Sequence, residues 1–511
     1  MQDYPWWNAS QVALMKEARA FTTEVLIPIA EKCAHKLEYP WEAIRRIAEK
    51  GWFGATVPKK YGGHQEEWGV TGAAILCEEI SRAGEAANGL ITTLIGATTQ
   101  ILHDGSEEQK QKWLPKLAAG ELFGCITMTE PYEGSDVAEI ETTAVREGDF
   151  YIINGKKRFQ TSAGAADLYM TYVKTDMNPE ARKRYRHLTG MIIEKGTPGF
   201  TVERVNRLIG MDGVYNCFLN YDNVRVPAAN IIGGEGDGWN VMMRGLNVER
   251  ALGAACYLGG MREAIRYARQ HLERRVQFGQ PTGAIATNQF KLADMYSGYE
   301  LSRLVIYYVA HAADLGREVP LESGLAKLYA SETSFSIASE AIQCMGGNGV
   351  MDIYPVERIL RDARLNLIAA GTSEVLRLLI YRMGTRLFAE DLQPPARAMD
   401  EELNVPLPLG KLPPPKAVTS ESDVLQVLAE NYRVNPGLHM TLADMKLFLA
   451  APDDVLAQYL SALEERDLVA LLRNRKGEVE LVKATFAGLK EAHPSEYYRQ
   501  IPSWVLPEDM F

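Results

Sequence analysis

The chain has 511 residues, of which 46% are hydrophobic and 24% charged, and its formal net charge is -11. A chain of this length is expected to fold around more than one hydrophobic core, and the composition is that of an ordinary globular protein. The negative charge argues against broad electrostatic attraction to nucleic acid or to an anionic membrane.

Cysteine usage and hydropathy narrow the class further. The six cysteines include no C-x-x-C pair, and no His/Cys cluster has metal-ligand spacing, so we expect reduced thiols and no metal. The N-terminus lacks the basic-then-apolar form of a signal peptide, and no uncharged apolar run is long enough to span a bilayer. The expected location is cytoplasmic, although a processed organelle protein would share these features.

Residues 1–120 are predicted to form a helical N-terminal domain. Apolar residues recur at helical spacing, as in Val12, Met15, Ala18 and Phe21, and regular strand alternation is missing. Residues 121–235 change to short β-type runs, such as 151–153, 168–173 and 191–193, separated by turn residues. Asn154-Gly155 is a hairpin signal within this region. The middle domain is therefore predicted to be a small antiparallel β barrel or sandwich.

A loop at residues 128–136, near the start of the β-region, combines hydroxyl groups, a proline and a glycine. Gly134 permits close approach of a ligand to the backbone, and Pro131 fixes the entry angle. Thr129 and Ser135 offer hydrogen-bond donors that a heteroaromatic ring or a phosphate can use. An ordinary β-turn explains the same residues equally well.

Helical periodicity returns in residues 236–390. Long segments at 239–278, 289–315 and 323–345 predict an antiparallel helical bundle. On the first segment, Glu249 continues a stripe of small and apolar residues at three-and-four spacing. A carboxylate in such a stripe is partly desolvated, which raises its pKa and suits a general base. The alternative is an ion pair with Arg250 or another bundle residue, since most such carboxylates are structural.

Residues 391–418 are predicted to be a Pro-rich linker, and residues 419–511 a separate winged-helix-like domain. Helices are expected at 421–433, 441–449 and 453–466, the second opened by the capping box Thr441-x-x-Asp444, with a hairpin at 469–472 and 479–482. A winged helix suggests DNA binding. However, residues 416–511 carry 10 Lys and Arg against 15 Asp and Glu, so repulsion from phosphate argues against a nucleic-acid partner.

Six short segments, in order, give residues 10–390 a resemblance to the acyl-CoA dehydrogenase family. They are Thr129-Glu130-Pro131-x-x-Gly134-Ser135-Asp136, Asn154-Gly155-x-Lys157, Arg275-x-x-Phe278-Gly279, Gln343-Cys344-x-Gly346-Gly347-Asn348-Gly349, Arg361-Asp362-Ala363 and Gly371-Thr372-Ser373-Glu374. The resemblance implies an α+β fold with helical, β and helical domains. It also implies FAD as the cofactor and a homotetramer or dimer with flavin at the subunit interfaces.

Cofactor-binding residues are also implied by the resemblance. The flavin ring and its pyrimidine edge are expected to contact Ile126, Met128, Thr129 and Ser135, with Phe159 and Thr161 covering the ring and reaching N5. The adenine dinucleotide is expected to contact Arg275, Phe278 and Gln289 of one subunit, Gln343, Gly346 and Gly347 of a neighbour, and Thr372 and Glu374. A simple helix-breaking turn would also explain Gly346-Gly347.

The position of the base divides this family. Many members carry a catalytic Glu immediately before the last Gly-Thr motif, where this chain has Ala370. A class similar to isovaleryl-CoA and long-chain acyl-CoA dehydrogenases carries it on another helix, before an Arg, and the matching residue is Glu249. The resemblance therefore favours Glu249 over a structural ion pair. It also implies that the Ala370 N–H binds the thioester oxygen, and that the substrate contacts Ser135, Asn247, Arg250 and Ala369.

The implied reaction is FAD-dependent α,β-dehydrogenation of an acyl-CoA to the 2-enoyl-CoA, in which Glu249 removes the α-proton and flavin N5 accepts the β-hydride. Because Ala369 and Ala370 are small, we expect a branched, cyclic or otherwise bulky acyl group. The expected electron acceptor is electron-transfer flavoprotein. Two alternatives stay open, an acyl-CoA oxidase that uses oxygen and a non-catalytic flavoprotein that acts through its tail.

Overall fold

The computed structural model describes residues 3–33, 38–84, 86–387, 399–400, 405–406, 414–434, 437–474 and 476–493. The chain forms two compact units, Met1–Thr385 and Arg386–Phe511. None of the helices in the described ranges combines the length and the apolar character needed to cross a bilayer.

The first unit begins with helices, as the periodicity predicts. They are α1 (Ala9–Phe21), α2 (Ile27–Cys33), α3 (Trp41–Glu49), α4 (Gly69–Ile80), α5 (Ala86–Thr93), α6 (Thr99–Asp104) and α7 (Glu107–Ala118). Two of these helices begin with a capping box, formed by Asn8 and Gln11 at α1 and by Ser106 and Gln109 at α7. Each pair satisfies two backbone N–H groups that would otherwise lack an acceptor. Most of α4 is buried, so this helix lies inside the domain.

A sheet follows, built from β1 (Gly124–Thr127), β2 (Thr143–Glu147), β3 (Phe150–Gln160), β4 (Leu168–Lys174), β5 (Leu188–Glu194), β6 (Phe200–Val205), β7 (Cys217–Pro227) and β8 (Ile231–Ile232), with a short helix α8 (Pro179–Lys183). The strand order is β6-β7-β3-β2-β4-β5-β8, and β1 pairs with β4. The predicted β-region is confirmed, but the sheet is mixed rather than wholly antiparallel, because β1 and β2 each pair in parallel with β4. The β2–β3 hairpin stands between β1 and β4 in the chain and supplies the crossover that a parallel pair needs.

The predicted hairpin at Asn154-Gly155 is wrong. Strand β3 continues through both residues, and the turn between β2 and β3 lies at Gly148, whose φ of 62° is left-handed. At Gly155 the pairing with β7 is irregular and φ is 150°. A Cβ there would lie 2.4 Å from Thr142 Oγ1, so glycine permits a close strand contact rather than a turn.

The rest of the first unit is a helical bundle with one small hairpin. It comprises α9 (Gly238–Arg274), β9 (Val276–Gln277), β10 (Gln280–Pro281), α10 (Ala286–Asp314), α11 (Pro320–Met345), α12 (Val356–Asn366) and α13 (Ser373–Leu387). The three long helices are confirmed, but α9 ends before Phe278. Phe278 and Gly279 have φ values of 53° and 77° and form the turn between β9 and β10, which ends the helical pattern early.

Helix α9 packs against α4, α10 and α11 in the core of the first unit. Small residues such as Ala251, Ala254 and Ala255 are almost fully buried along it and belong to the core that joins these helices. Close approach of the neighbouring helices leaves little room for water beside this part of α9. Glu249 precedes these residues on the same helix, by two positions from Ala251 and by less than two turns from Ala255.

The second unit contains β11 (Met399–Asp400), β12 (Val405–Pro406), β13 (Lys416–Ala417), α14 (Glu421–Val434), α15 (Leu442–Lys446), β14 (Leu449–Ala450), α16 (Asp453–Glu465), β15 (Val469–Arg473), β16 (Val479–Ala484) and α17 (Phe486–Ala492). The three predicted helices, the Thr441 capping box and the hairpin are confirmed. The predicted linker lies mostly outside the described residues. Membership of the winged-helix class stays a prediction.

Candidate active site

Glu249 carries a buried carboxylate. The residue is 7% exposed, and its Oε2 has no hydrogen-bond partner among the described residues. Burial raises the pKa of Glu249 to about 7, although the positive charges of Arg250 and Lys327 act in the opposite direction. The described part of the chain contains no ion pair between Glu249 and Arg250, which the sequence had left as the alternative. A carboxyl group of this kind can take up a proton near neutral pH.

The turn between α12 and α13 carries Ala370. Ala370 and Gly371 have left-handed φ values of 55° and 97°. A hydrogen bond closes this turn, in which the Ser373 N–H donates to the Leu367 carbonyl at 3.0 Å. No acceptor in the described ranges takes the Ala370 N–H, and this partly buried residue therefore presents an unused donor. Non-glycine residues in this conformation are uncommon and are enriched at functional sites.

Lys327 of α11 contacts the turn that carries Ala370. Its Nζ donates to the Gly371 carbonyl at 2.7 Å, and its charge acts on both Glu249 and Arg250. One buried ammonium group thus contacts the turn and acts electrostatically on Glu249. Sequence reasoning missed Lys327, since nothing in its helical surroundings marks it as different from a surface lysine. Asn247, the other expected substrate contact on α9, has a side chain outside the described residues.

The loop at 128–136 is fastened to strand β3. The Thr129 carbonyl accepts hydrogen bonds from the backbone N–H of Arg158 and from Gln160 Nε2, both at 2.9 Å. This brings the expected flavin contacts of the loop beside Phe159 and Thr161 at the end of β3. Met128 and Thr129 are partly buried, whereas Ser135 is exposed.

A buried ion pair between Glu130 and Lys157 holds the same loop. Lys157 Nζ lies 2.7 Å from Glu130 Oε1 and 2.9 Å from the Met128 carbonyl, and both charged side chains are almost fully buried. Burial alone would raise the pKa of Glu130, but the Lys157 charge and hydrogen bonds bring it below its ordinary value. Glu133 and Glu141 lie near Glu130; because Glu130 is already paired, we assign no metal to this group. Both residues of the pair occur in the family segments, and their contact was not predicted.

Phe159 is an exposed aromatic residue with an unusual backbone. Its φ is 62° and its side chain is 51% exposed. One edge of the ring is occupied by Phe218, with the centroids 5.6 Å apart, and the Arg158 guanidinium lies 4.6 Å from the Phe159 centroid. A large apolar ring left this open next to the loop fits a planar partner such as a flavin.

A cleft of about 410 Å³ lies between the end of α9 and the end of α11. Its lining includes Arg275, Gln343, Gly346 and Gly347. The resemblance assigns Arg275 and the Gln343–Gly347 group to different subunits, whereas here they line one cleft of the same chain. A short 3-10 turn, Gly346–Val350, ends α11, and a Cβ on either glycine would meet no atom within 4 Å. The glycines therefore both end the helix and leave open space.

The remaining expected dinucleotide contacts lie outside this cleft. Phe278 is 92% exposed at the tip of the β9–β10 turn. Gln289 Nε2 donates to the Gly283 carbonyl at 3.1 Å. Thr372 caps the start of α13, where its Oγ1 accepts from the Val375 N–H at 3.3 Å, and Glu374 is exposed two residues further on.

Three family models match most of this chain. Family models described as the N-terminal, middle and C-terminal domains of acyl-CoA dehydrogenase match residues 8–121, 125–224 and 236–384. The protein is therefore an oxidoreductase that uses FAD. The chain belongs to the acyl-CoA dehydrogenase family, and it dehydrogenates acyl-CoA.

Individual relatives support the same assignment. The chain is 39% identical over 375 residues to an acyl-CoA dehydrogenase of Bacillus subtilis, covering 73% of this chain and 97% of the relative. It is 38% identical over 382 residues to the mitochondrial isovaleryl-CoA dehydrogenase of Pongo abelii, covering 73% and 88%. The butyryl-CoA dehydrogenase structure from Megasphaera elsdenii aligns with a TM-score of 0.72 at 33% identity, covering 76% of this chain and 100% of that structure.

Proposed function

We propose that this enzyme oxidises a branched, cyclic or otherwise bulky acyl-CoA to the 2-enoyl-CoA, with Glu249 as the base. The observation that carries the proposal is a buried carboxylate whose Oε2 has no hydrogen-bond partner in the described part of the chain and whose pKa of about 7 suits proton abstraction. Position 370, where many relatives carry their base, is an alanine. Glu249 is therefore the proposed acceptor of the proton from the α-carbon.

Activation of the substrate is assigned to the backbone of Ala370. The Ala370 N–H has no acceptor in the residues that the structure describes, so it can donate to the thioester oxygen and stabilise the negative charge that develops there as the α-proton leaves. FAD, when bound, supplies the acceptor for the hydride that leaves the β-carbon. Arg250 and Ser135 are proposed substrate contacts together with Ala369 and Asn247.

The cofactor site proposed here has two parts. Ile126, Met128, Thr129, Ser135, Phe159 and Thr161 are proposed to hold the flavin ring. Arg275, Gln343, Gly346 and Gly347 are proposed to hold the dinucleotide, assisted by Phe278, Gln289, Thr372 and Glu374. The exposed Phe159 ring and the open space over the two glycines support this assignment. Phe278 extends away from its own chain, which favours a contact with FAD of a neighbouring subunit.

The acyl group is inferred from the small residues near the proposed reaction centre. Ala369 and Ala370 leave more room beside Cα and Cβ than larger side chains would. A similar relative is named for the branched isovaleryl group. We therefore expect selection for branching or ring closure next to the thioester rather than for chain length.

Anaerobic titration with straight, branched, cyclic and aromatic acyl-CoAs tests the function and the substrate class together. We expect loss of the oxidised flavin absorbance with branched or cyclic substrates at lower concentration than with straight chains of equal carbon number. Equal bleaching by straight and branched chains would contradict the substrate class, and no bleaching by any acyl-CoA would contradict the reaction. Repeating the assay in air, with peroxide measured, distinguishes an oxidase from a dehydrogenase.

The rate of flavin reduction is expected to depend on pH through Glu249. The carboxyl group must be ionised to accept the α-proton, so the rate at saturating acyl-CoA should rise with pH through about 7. Stopped-flow absorbance between pH 5.5 and 9 measures this profile. A rate that stays constant across that range would exclude a base with this pKa.

Assembly and electron transfer extend the proposal. One face of α10 exposes Phe290, Leu301, Leu304 and Tyr308, each 47–66% exposed, which is unusual for a surface helix and supports a homotetramer or dimer. A monomeric mass for the FAD-bound protein in light scattering would contradict this.

We propose electron-transfer flavoprotein as the electron acceptor, which is tested by its reduction in the presence of acyl-CoA and this enzyme. We also propose a cytoplasmic location, which is tested by cell fractionation.

A further inference from the structure

The ammonium group of Lys327 is buried without a carboxylate partner in the part of the chain that the structure describes. Its side chain is fully buried, and no described carboxylate lies within salt-bridge distance. Among the described residues its one hydrogen bond is to the Gly371 carbonyl, at 2.7 Å. Burial of a charge against a single carbonyl is unfavourable, and a neutral residue of similar volume would normally be the more stable choice. The lysine therefore calls for a role beyond packing.

The carbonyl that Lys327 holds belongs to the turn of the proposed thioester donor. Ala370 directly precedes Gly371, and both residues are left-handed. Fixing the Gly371 carbonyl from inside the bundle restricts this turn and thereby the direction of the Ala370 N–H. An oxyanion donor needs such fixed geometry, because its contribution depends on distance and alignment.

The charge of the same ammonium group also acts on the proposed base. Burial raises the pKa of Glu249, while the charges of Arg250 on its own helix and of Lys327 lower it. Burial, together with the charge of Glu249, raises the pKa of Tyr172 of β4 and of Tyr257 of α9. Burial and the charge of Arg250 lower the pKa of Lys327 to about 8, against the charges of Glu249, Glu332 of its own helix and Glu374 of α13. A positive charge near Glu249 favours its ionised form and offsets part of the effect of burial.

We propose that Lys327 is a positioning residue for α-proton abstraction, which holds the Ala370 turn through the hydrogen bond from its Nζ to the Gly371 carbonyl and, as a nearby positive charge, favours the ionised form of Glu249. This inference rests on the proposed function. One buried side chain thus couples the group that polarises the thioester to the group that removes its proton.

Lys327→Met removes the charge and the donor at nearly constant volume. With the acyl-CoA that bleaches the wild-type flavin best, we expect flavin reduction to slow roughly 10- to 100-fold. We also expect the pH midpoint of the rate to rise by about 1 pH unit, since Glu249 loses a neighbouring positive charge. Lys327→Arg keeps the charge and the donor, and it should restore the wild-type midpoint.

Arg377→Met is the matched control. It breaks an exposed ion pair between α13 and α11, Arg377 to Glu332 at 2.7 Å, without touching the Gly371 carbonyl. FAD content and the thermal unfolding midpoint are measured for all variants. The control should retain the wild-type rate and pH midpoint, so that general loosening between α11 and α13 is separated from loss of Lys327.

The outcomes separate this inference from the function beneath it. FAD-bound Lys327→Met with a wild-type rate and midpoint would overturn the positioning role. A slower rate with an unchanged midpoint, not rescued by arginine, would also overturn it and indicate a structural role. If Lys327→Met does not bind FAD, the FAD-bound Lys327→Arg variant decides. A displaced pH midpoint of its flavin-reduction rate overturns the inference, and the wild-type pH midpoint supports it. Absence of bleaching in the wild type would instead overturn the proposed dehydrogenation.

Discussion

Replacing Glu249 by Gln is expected to lower the rate of flavin reduction by a factor of about 10² to 10⁴, the usual range for loss of a general base. The substitution keeps the shape of the side chain and removes its ability to take the α-proton. FAD should stay bound, because the groups proposed to hold the cofactor lie on other elements. Single-turnover absorbance measurements with excess acyl-CoA report the chemical step directly.

The pH profile gives the Glu249→Gln experiment a second readout. Whatever rate remains should no longer rise through pH 7, because the titrating carboxyl group is gone. Glu273→Gln is the control on the same helix, since Glu273 is exposed and pairs with Arg269 at 2.7 Å. A Glu249→Gln enzyme that reduces its flavin at the wild-type rate would show that another group is the base.

Local sequence patterns predicted the long helices well because their cause is local. Three-and-four spacing marked α9, α10 and α11 within a few residues, and the Thr441 capping box marked the start of α15. The sequence-based predictions failed where a contact between distant residues determines the backbone conformation. Asn154-Gly155 has the letters of a hairpin turn, but pairing with β7 and the nearness of Thr142 keep the backbone extended. Parallel pairing of β1 with β4 likewise depends on residues more than forty positions apart.

The site shows the same division between local and distant causes. The stripe around Glu249 correctly predicted a desolvated carboxylate, because burial of a helix face can be read from its spacing. It could not show that Arg250 makes no ion pair with it, nor that Lys327 reaches the Ala370 turn, since these depend on packing between helices. The Glu130–Lys157 pair joins two family segments, and the signal available was an acidic residue in one motif and a basic residue in the other.

Lys157→Met is expected to destabilise the first unit by about 3–5 kcal/mol, because it leaves the Glu130 carboxylate buried without its counter-charge. The Met128 carbonyl loses a hydrogen bond at the same time, so the loop proposed to contact flavin should loosen and FAD affinity should fall. Urea unfolding followed by circular dichroism, with flavin fluorescence for cofactor release, measures both effects. The double variant Glu130→Gln, Lys157→Met should be less destabilised than Lys157→Met alone, since it contains no unpaired charge.

The dependence of this destabilisation on pH follows from Glu130. In the wild type, pairing holds the pKa of Glu130 below the pKa that this residue has in the unfolded chain. The pair therefore contributes its full stabilisation when the pH is above the unfolded-state pKa, and this contribution is lost as the pH falls through the folded-state pKa. In Lys157→Met burial acts alone, and protonation of Glu130 relieves the unpaired charge. The stability difference between the two proteins should therefore shrink as the pH is lowered.

Lys156→Met is the matched control, because the neighbouring Lys156 is exposed and pairs with Glu203 at 3.2 Å. Such an exposed pair contributes about 0–1 kcal/mol, and equal losses for Lys156→Met and Lys157→Met would show that the buried pair does not hold the loop.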